Sequence, residues 1–232
     1  MNTRYDEDQT PLHVASQLGQ LGIMRSLIDR GANVNSENAN KETPLFMASR
    51  NGNIEITRLL LENRADVNHS DLEKRTPLHE ASENGRDSVV QELLRSEANC
   101  NAKNKYEWTP LHLASRTGNT AVVQILLDRG AEVNVQNVSK WTPLHMASQK
   151  GHVEVVKLLL SSNARVDDKK ADGETALHLA AYYGHVEVVG LLISHNADQR
   201  IRNNKRETAL DLARVNGHEN VVPLFGPEIG GD

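Results

Sequence analysis

The chain has 232 residues, a formal net charge of −5, and only 38% hydrophobic and 3% aromatic residues. This balance gives no general attraction to nucleic acid or anionic membranes, and it is too poor in apolar residues for one large globular core. No run approaches 18 apolar residues and the first ten residues hold no apolar segment, so neither a membrane span nor a signal peptide is predicted. With Cys100 as the only cysteine, we expect an intracellular protein, cytoplasmic, nuclear or both.

A short phrase that begins with threonine recurs every 33 residues along the chain. The threonines are Thr10, Thr43, Thr76, Thr109, Thr142, Thr175 and Thr208. Threonine at the N-cap followed by proline at the first helical position, as in the first five phrases, is a strong signal for the start of a helix. Each of these helices is predicted to end at a glycine, which accepts a positive φ at little cost. These glycines are Gly19, Gly52, Gly85, Gly118, Gly151, Gly184 and Gly217.

A second helix is predicted after each glycine, because an apolar stripe at helical spacing follows it, most clearly over residues 153–160. Turn-forming residues then lead through an extended finger to the next threonine. A period of this size indicates modules that bury their apolar faces only against their neighbours. We therefore predict an all-α repeat solenoid that forms a single domain over residues 1–226, with a frayed tail at 227–232. The repeats span about 7–39, 40–72, 73–105, 106–138, 139–171, 172–204 and 205–226.

The phrase Thr-Pro-Leu-His-x-Ala and its period resemble the ankyrin repeat, and the resemblance covers about residues 7–226. It implies a stack of helix–loop–helix units with short β-hairpin fingers and a concave surface that binds other proteins. It also implies that the histidine of the phrase hydrogen-bonds the backbone around the finger. Asn35, Asn68 and Asn134 match the pattern of asparagines that intracellular hydroxylases modify in such repeats.

Some repeats depart from the pattern. The glycine that ends the second helix in repeats 1 and 4 is replaced by Arg64 and Glu97 in repeats 2 and 3. Because these side chains tolerate a left-handed backbone poorly, we expect repeats 2 and 3 to be locally less stable. Pro223 falls several residues into the last second helix and is expected to break it, which would leave the seventh repeat incomplete.

Ten histidines raise the question of a metal or acid–base site, but their spacing opposes it. Histidines of the repeated phrase would lie roughly 10 Å apart on neighbouring helices, whereas zinc ligands must each lie about 2 Å from one ion. No phosphate-binding glycine loop, nucleophile elbow or paired-cysteine motif is present. We therefore predict no catalytic residue, no metal, no cofactor and no enzyme activity.

Contact positions are expected where the repeats differ from one another, in the finger and at the pair of residues before the first glycine. Five of the eight aromatic residues fall there, and Trp and Tyr are enriched at binding hot spots. In repeats 4 and 5 these positions carry the basic residues Lys105, Arg116 and Lys150 and no acidic residue. In repeats 1 to 3 they carry mainly acidic residues, which are Asp6, Glu7, Glu42, Glu73 and Glu83. The predicted partner-binding residues are Lys105, Tyr106, Trp108, Arg116, Trp141, Lys150, Tyr182 and Tyr183.

The sequence thus predicts a non-catalytic protein–protein interaction module, a scaffold or adaptor, whose concave face binds a partner at repeats 4–6. The partner would be a protein or peptide with acidic and apolar residues, and a monomer without membrane contact is expected. One alternative is nucleic-acid or transcription-regulatory binding through the basic and aromatic patch and the last finger, which carries Arg200, Arg202, Lys205 and Arg206. Another is a structural spacer within a larger protein.

Overall fold

The structure is a computed structural model that describes residues 8–226. Within that range it contains thirteen α-helices and a final 3-10 turn, so the all-helical repeat fold is confirmed. In the first three repeats the helices are α1 (Pro11–Leu18), α2 (Leu21–Asp29), α3 (Pro44–Asn51), α4 (Ile54–Glu62), α5 (Pro77–Glu83) and α6 (Asp87–Arg95). The others are α7 (Pro110–Thr117), α8 (Thr120–Asp128), α9 (Pro143–Lys150), α10 (Val153–Ser161), α11 (Ala176–Tyr182), α12 (Val186–Ser194) and α13 (Ala209–Val215).

The first helix of each repeat begins and ends where the repeated phrase predicts, and α9 shows why. Thr142 has an extended backbone, and its side chain accepts a hydrogen bond from the His145 backbone N–H. Pro143 occupies the first helical position, where an N–H group would have no partner within the helix. The helix ends at Gly151, whose φ of 73° is left-handed. Local sequence therefore determines both ends of this helix.

The chain divides into two compact units, and the boundary runs through the fourth repeat. Unit 1 consists of Met1–Ala114 with Ala121–Ala131, and unit 2 of Ser115–Thr120 with Glu132–Asp232. In unit 1, helices α1, α3 and α5 pack in sequence as one layer, and α2, α4 and α6 form the second layer. In unit 2, α9, α11 and α13 form one layer, while α10 and α12 form the other. The single domain over residues 1–226 stays a prediction, and the tail 227–232 lies outside the described residues.

Each unit has its core between its two layers of helices. An alanine shared by the first helices is no more than 3% exposed, because it lies where neighbouring helices approach closely. Leucines of the first helices and aliphatic residues of the second helices, such as Leu78 and Val90, fill the remaining space. No helix in residues 8–226 is long and apolar enough to cross a membrane.

The fingers are tight turns, and no β-strand is assigned between residues 8 and 226. In the second finger, Asn38 Oδ1 accepts hydrogen bonds from the backbone N–H groups of Asn40 and Glu42, both at 2.9 Å. The next finger is joined to this one by a hydrogen bond from the Leu72 N–H to the Asn40 carbonyl, at 3.1 Å. Backbone bonds from the Asn38 N–H to the Glu42 carbonyl and from the Lys41 N–H to the Asn38 carbonyl also close this turn, but the expected β-hairpin form is not confirmed.

Left-handed residues end the second helices, even where glycine is absent. Arg64 and Glu97 have φ values of 64° and 67°, and Asn163 and Asn196 have 64° and 61°. A residue that has a Cβ destabilises the fold by about 1 kcal/mol when its backbone is left-handed, and asparagine does so by less. Arg64 and Glu97 thus have the left-handed backbone that was expected at these positions. The lower local stability of repeats 2 and 3 stays a prediction.

The seventh repeat has a 3-10 turn, Val222–Leu224, where the other repeats have a second α-helix. Pro223 lies inside this turn, and its missing N–H and its ring are incompatible with the interior of an α-helix. The predicted break is therefore confirmed. The turn packs against α12 and α13, and the Val221 side chain beside it is fully buried.

Candidate partner-binding surface

Histidines of the repeated phrase are hydrogen-bonded links between repeats. The Thr10 backbone N–H donates to His13 Nδ1 at 3.1 Å, so the neutral ring carries its proton on Nε2. His13 Nε2 then donates to the Glu42 carbonyl of the next finger, at 2.9 Å. His79 repeats this bond with the Trp108 carbonyl at 3.0 Å. The bond from histidine to finger that the resemblance implies is confirmed at these positions.

Burial keeps these imidazoles neutral. Desolvation lowers the pKa of His79 and of His145 to about 4, and it lowers the pKa of His178 as well. A protonated ring would also place a hydrogen on Nδ1, which faces the threonine N–H. Among the residues described, no group of three or more His, Cys, Asp or Glu side chains is arranged to hold a metal ion.

Three asparagines at the bases of the fingers also join repeats. Asn35 donates from Nδ2 to the Arg64 carbonyl at 3.1 Å, and its Oδ1 accepts from the Asp66 N–H at 2.8 Å. Asn68 and Asn134 bond the following repeat in the same way. These side chains have a structural role, and their modification stays a hypothesis.

In unit 1, the fourth finger presents three of the predicted contact residues. Tyr106 is 49% exposed, and the Lys105 ammonium lies 5.4 Å from the centre of its ring. Lys105 also forms an ion pair with Glu73 of the preceding finger, at 2.7 Å. Trp108 is half-buried, and its ring centre lies 6.1 Å from that of His112. Tyr106 is therefore the accessible aromatic residue of this finger, and the charge of Lys105 is largely compensated.

A network of charged side chains that the sequence did not predict joins repeats 2 and 3. Arg50 contacts Glu42 at 2.5 Å and Glu80 at 2.7 Å, while Arg75 contacts Glu80 at 2.8 Å and also pairs with Glu83. The Glu80 side chain is only 5% exposed, which makes the loss of its partners costly. Because three carboxylates share two guanidinium groups here, the predicted acidic character of this face is reduced to a net charge of about −1 in this network. Asp6 and Glu7, which belong to the same prediction, lie outside the described residues.

In unit 2, the indole of Trp141 is partly covered by a lysine. The Lys170 ammonium lies 5.0 Å from the centre of the Trp141 ring, and it pairs with Asp172 and, at 2.9 Å, with Glu174. Although burial opposes it, hydrogen bonds to these two carboxylates raise the pKa of Lys170. Trp141 therefore presents only part of its ring to a partner.

Lys170 occupies the position that asparagine holds in four other fingers, at Asn38, Asn104, Asn137 and Asn203. In the fifth finger, Asn137 Oδ1 accepts from two backbone N–H groups at 2.9 Å each. In the sixth finger, the Glu174 N–H instead reaches Asp172 Oδ1 at 3.3 Å. His145 Nε2, buried next to this finger near the Asp168 and Glu174 backbone, makes no hydrogen bond of normal geometry with the described residues. The substitution of asparagine by lysine thus accompanies the loss of one link between repeats.

Tyr182 and Tyr183 form the most accessible aromatic pair of unit 2, at 41% and 45% exposure. Their ring centres are 4.9 Å apart in an edge-to-face arrangement. Tyr183 also stacks on His185 with 6.1 Å between ring centres, and its hydroxyl accepts from Gln149 Nε2 at 3.3 Å. The two rings are therefore held in place and are still open to a partner.

The ends of the first helices in unit 2 are fixed by a second set of histidines. His152, His185 and His218 donate from Nε2 to the carbonyls of Arg116, Gln149 and Tyr182, at 3.1, 3.0 and 2.9 Å. Each bond ties one repeat to the end of the preceding first helix. Arg116 is half-buried and Lys150 is exposed at these helix ends. The helix ends that carry Arg116 and Lys150, the two predicted basic contact residues of unit 2, are therefore held in place by hydrogen bonds.

The predicted contact residues form two groups, one in each unit. Lys105, Tyr106 and Trp108 share the fourth finger in unit 1, and the other five belong to unit 2. Sequence reasoning missed the residues that compensate or cover them, Glu73 and Lys170, and it also missed Val215, which is 79% exposed at the end of α13. Val215 lies 33 residues after Tyr182, so the period itself could have identified it.

The basic last finger is partly engaged within the chain. Arg200 pairs with Asp198 at 3.1 Å, and Arg202 donates to the Arg206 carbonyl at 2.6 Å and lies 4.0 Å from Asp211. Exposed pairs of this kind are weak, but they reduce the positive charge that a phosphate backbone would meet.

Comparisons with known proteins agree with this architecture. Residues 12–104, 78–170 and 163–229 each match the family model of ankyrin repeats. Among solved structures, the crystal structure of the human ASB11 ankyrin repeat domain has a TM-score of 0.86 and 32% sequence identity. That match covers 94% of this chain and 99% of the other. No curated protein matches this chain in sequence.

Proposed function

This chain belongs to the ankyrin-repeat family, and we propose that it is a non-catalytic interaction module, a scaffold or adaptor, which binds another protein through its fingers and first helices. Ankyrin repeat domains generally mediate protein–protein interaction and are typically not catalytic. The proposal centres on repeats 4–6, with one contact group on each side of the unit boundary. It also places the protein inside the cell, in keeping with its single cysteine.

The observation that carries this proposal is the exposed, ordered pair Tyr182 and Tyr183. Large aromatic side chains are enriched at binding hot spots, and rings that are already held in place lose little entropy on binding. Tyr106 offers a similar exposed ring in unit 1. Aromatic residues that are held in place by their neighbours and still more than 40% exposed favour recognition of a protein partner over a spacer function.

Partner recovery from cell extract tests the proposal. We expect that Tyr182→Ala/Tyr183→Ala and Tyr106→Ala/Trp108→Ala each reduce recovery of a protein that the wild-type chain enriches reproducibly. A matched control, Lys157→Ala/Glu187→Ala, changes two exposed residues of the second helices in unit 2 and should leave recovery unchanged. Thermal melts must show that every variant is folded. Equal recovery by both folded aromatic variants would refute the proposed surface.

The alternative, binding of nucleic acid, makes a different prediction about salt. Contacts with phosphates release counterions, so affinity falls steeply as the salt concentration rises. An interaction dominated by aromatic contacts depends on salt much less. The ion pairs of Arg200 and Arg202 favour the protein partner, and a steep salt dependence of binding to an oligonucleotide would favour the alternative.

A further inference from the structure

One row of side chains in unit 2 changes its chemistry from repeat to repeat. It consists of the last two residues before the first glycine in repeats 5, 6 and 7, and we call it the helix-end row. Its members are Gln149, Lys150, Tyr182, Tyr183, Val215 and Asn216. Along the chain the row passes from a basic and polar pair to two aromatic residues and then to an exposed valine.

The row is rigid because the backbone beneath it is tied to the next repeat. The Gln149 and Tyr182 carbonyls accept hydrogen bonds from His185 and His218. Asn216 Nδ2 donates to the Leu212 carbonyl at 2.8 Å, which closes the end of α13. The surface is therefore already ordered before a partner binds, so binding loses little conformational entropy.

The row carries a positive charge that the surrounding residues do not cancel. It contains no carboxylate, and Lys150 forms no ion pair with the described residues. Two acids of the second helices in unit 2, Glu154 and Glu187, lie 2.7 Å and 3.9 Å from the Lys157 ammonium on α10. Lys150 is therefore available to a carboxylate from outside.

The apolar part of the row extends into repeat 7, whereas variation between the repeats predicted contact only in repeats 4–6. Val215 is 79% exposed, more than either tyrosine. Because α13, which carries Val215, packs against α11, this valine adds an exposed apolar side chain one repeat after the two tyrosines. Adjacent repeats are roughly 10 Å apart, which an extended chain spans in about three residues.

We infer that the helix-end row binds an extended segment of a partner protein in which a carboxylate contacts Lys150, an apolar residue about three positions away contacts Tyr182 and Tyr183, and a second apolar residue about six positions away contacts Val215. This inference rests on the proposed function and specifies the partner's chemistry. Charge complementarity selects the acid, and the aromatic and aliphatic surface supplies the hydrophobic contact.

A displayed library of random peptides, about 12 residues long so that they span more than two repeats, tests the inference. We expect the wild-type chain to enrich peptides with an aspartate or glutamate near a pair of apolar residues. Lys150→Glu should weaken binding of these peptides by about tenfold or more, and it should itself enrich peptides with a basic residue at that position. Val215→Ser should weaken the acidic peptides without changing the preferred charge.

Lys157→Glu is the matched control, because it makes the same change in charge on a second helix outside the row. Its peptide preference should equal that of the wild type. If peptides bind but do not respond to Lys150→Glu or Val215→Ser, the inference is wrong and the proposed function stands. If no peptide and no protein partner binds, the proposed function fails as well. Tighter binding of an oligothymidylate than of any peptide would overturn the inference in favour of nucleic acid.

Discussion

His185 Nε2 donates a hydrogen bond to the Gln149 carbonyl, 3.0 Å away in the preceding repeat. The imidazole lies against Gly151, where an added Cβ would come within 2.6 Å of His185 Nδ1. Gly151 thus meets two demands, a left-handed backbone at the end of α9 and room for the ring that binds α9 from the next repeat. The same arrangement joins Gly184 and His218.

Gly151→Ala is therefore expected to lower the free energy of unfolding by more than the cost of positive φ alone, which is about 1 kcal/mol. Gly217→Ala is the matched control, since Gly217 has a φ of 74° but no atom of the described residues within 4 Å of its Cβ position. The additional cost at Gly151 should largely vanish in a His185→Ala background, because the clash is then absent. Chemical denaturation of the four variants measures this coupling, and equal costs at Gly151 and Gly217 would contradict it.

Stability should decrease in mildly acidic solution because of the buried histidines. His79 and His145 have pKa values of about 4 in the folded chain, against about 6.5 when unfolded. The unfolded chain therefore binds more protons between these values, and the free energy of unfolding falls as the pH is lowered from about 6.5 towards 4. Each histidine contributes at most about 3 kcal/mol to this change.

The measurement is urea denaturation at several pH values between about 5 and 6.5, above the range in which most carboxylates titrate. His79→Gln removes one of the buried histidines whose pKa is lowered and should reduce the slope of stability against pH. A slope identical to that of the wild type would show that His79 is not buried in its neutral form.

The two histidines should differ in how much they stabilise the fold. His79 Nε2 donates to the Trp108 carbonyl, whereas His145 Nε2 makes no hydrogen bond of normal geometry within residues 8–226. His79→Ala removes one of the two hydrogen bonds that this carbonyl accepts, the other coming from the Asn104 N–H, and we expect it to cost about 1 kcal/mol more than His145→Ala. Both variants lose a buried ring of the same size, so each serves as the control for the other. An equal or greater cost at His145 would contradict the structure of the sixth finger.

Substitution by glycine at the ends of the second helices should stabilise repeats 2 and 3. Arg64 and Glu97 hold positive φ values, so Arg64→Gly and Glu97→Gly are each expected to raise the free energy of unfolding by up to about 1 kcal/mol. Asn163→Gly is the control, with a smaller gain because asparagine tolerates this conformation. Thermal melting measures the shifts, and a loss of stability in the arginine and glutamate variants would contradict the strain.

Much of this protein was determined by its sequence alone. Threonine, proline and glycine act within one or two turns of chain, so the starts and ends of the first helices could be predicted from local conformational preference. The 33-residue period then specified the stack, because each module buries its apolar face only against a neighbour. The same local reasoning located Pro223 as a break and identified the variable positions that carry the aromatic residues.

Only the tertiary structure decided which of those positions are open to a partner. Lys105 and Glu73 are 32 residues apart in sequence, and stacking of the fingers brings them to 2.7 Å. Lys170 lies over Trp141 for the same reason, while Tyr182 and Tyr183 stay exposed. Ion pairs and ring contacts between repeats depend on how side chains meet after stacking, and the identity of a residue at a variable position does not specify that.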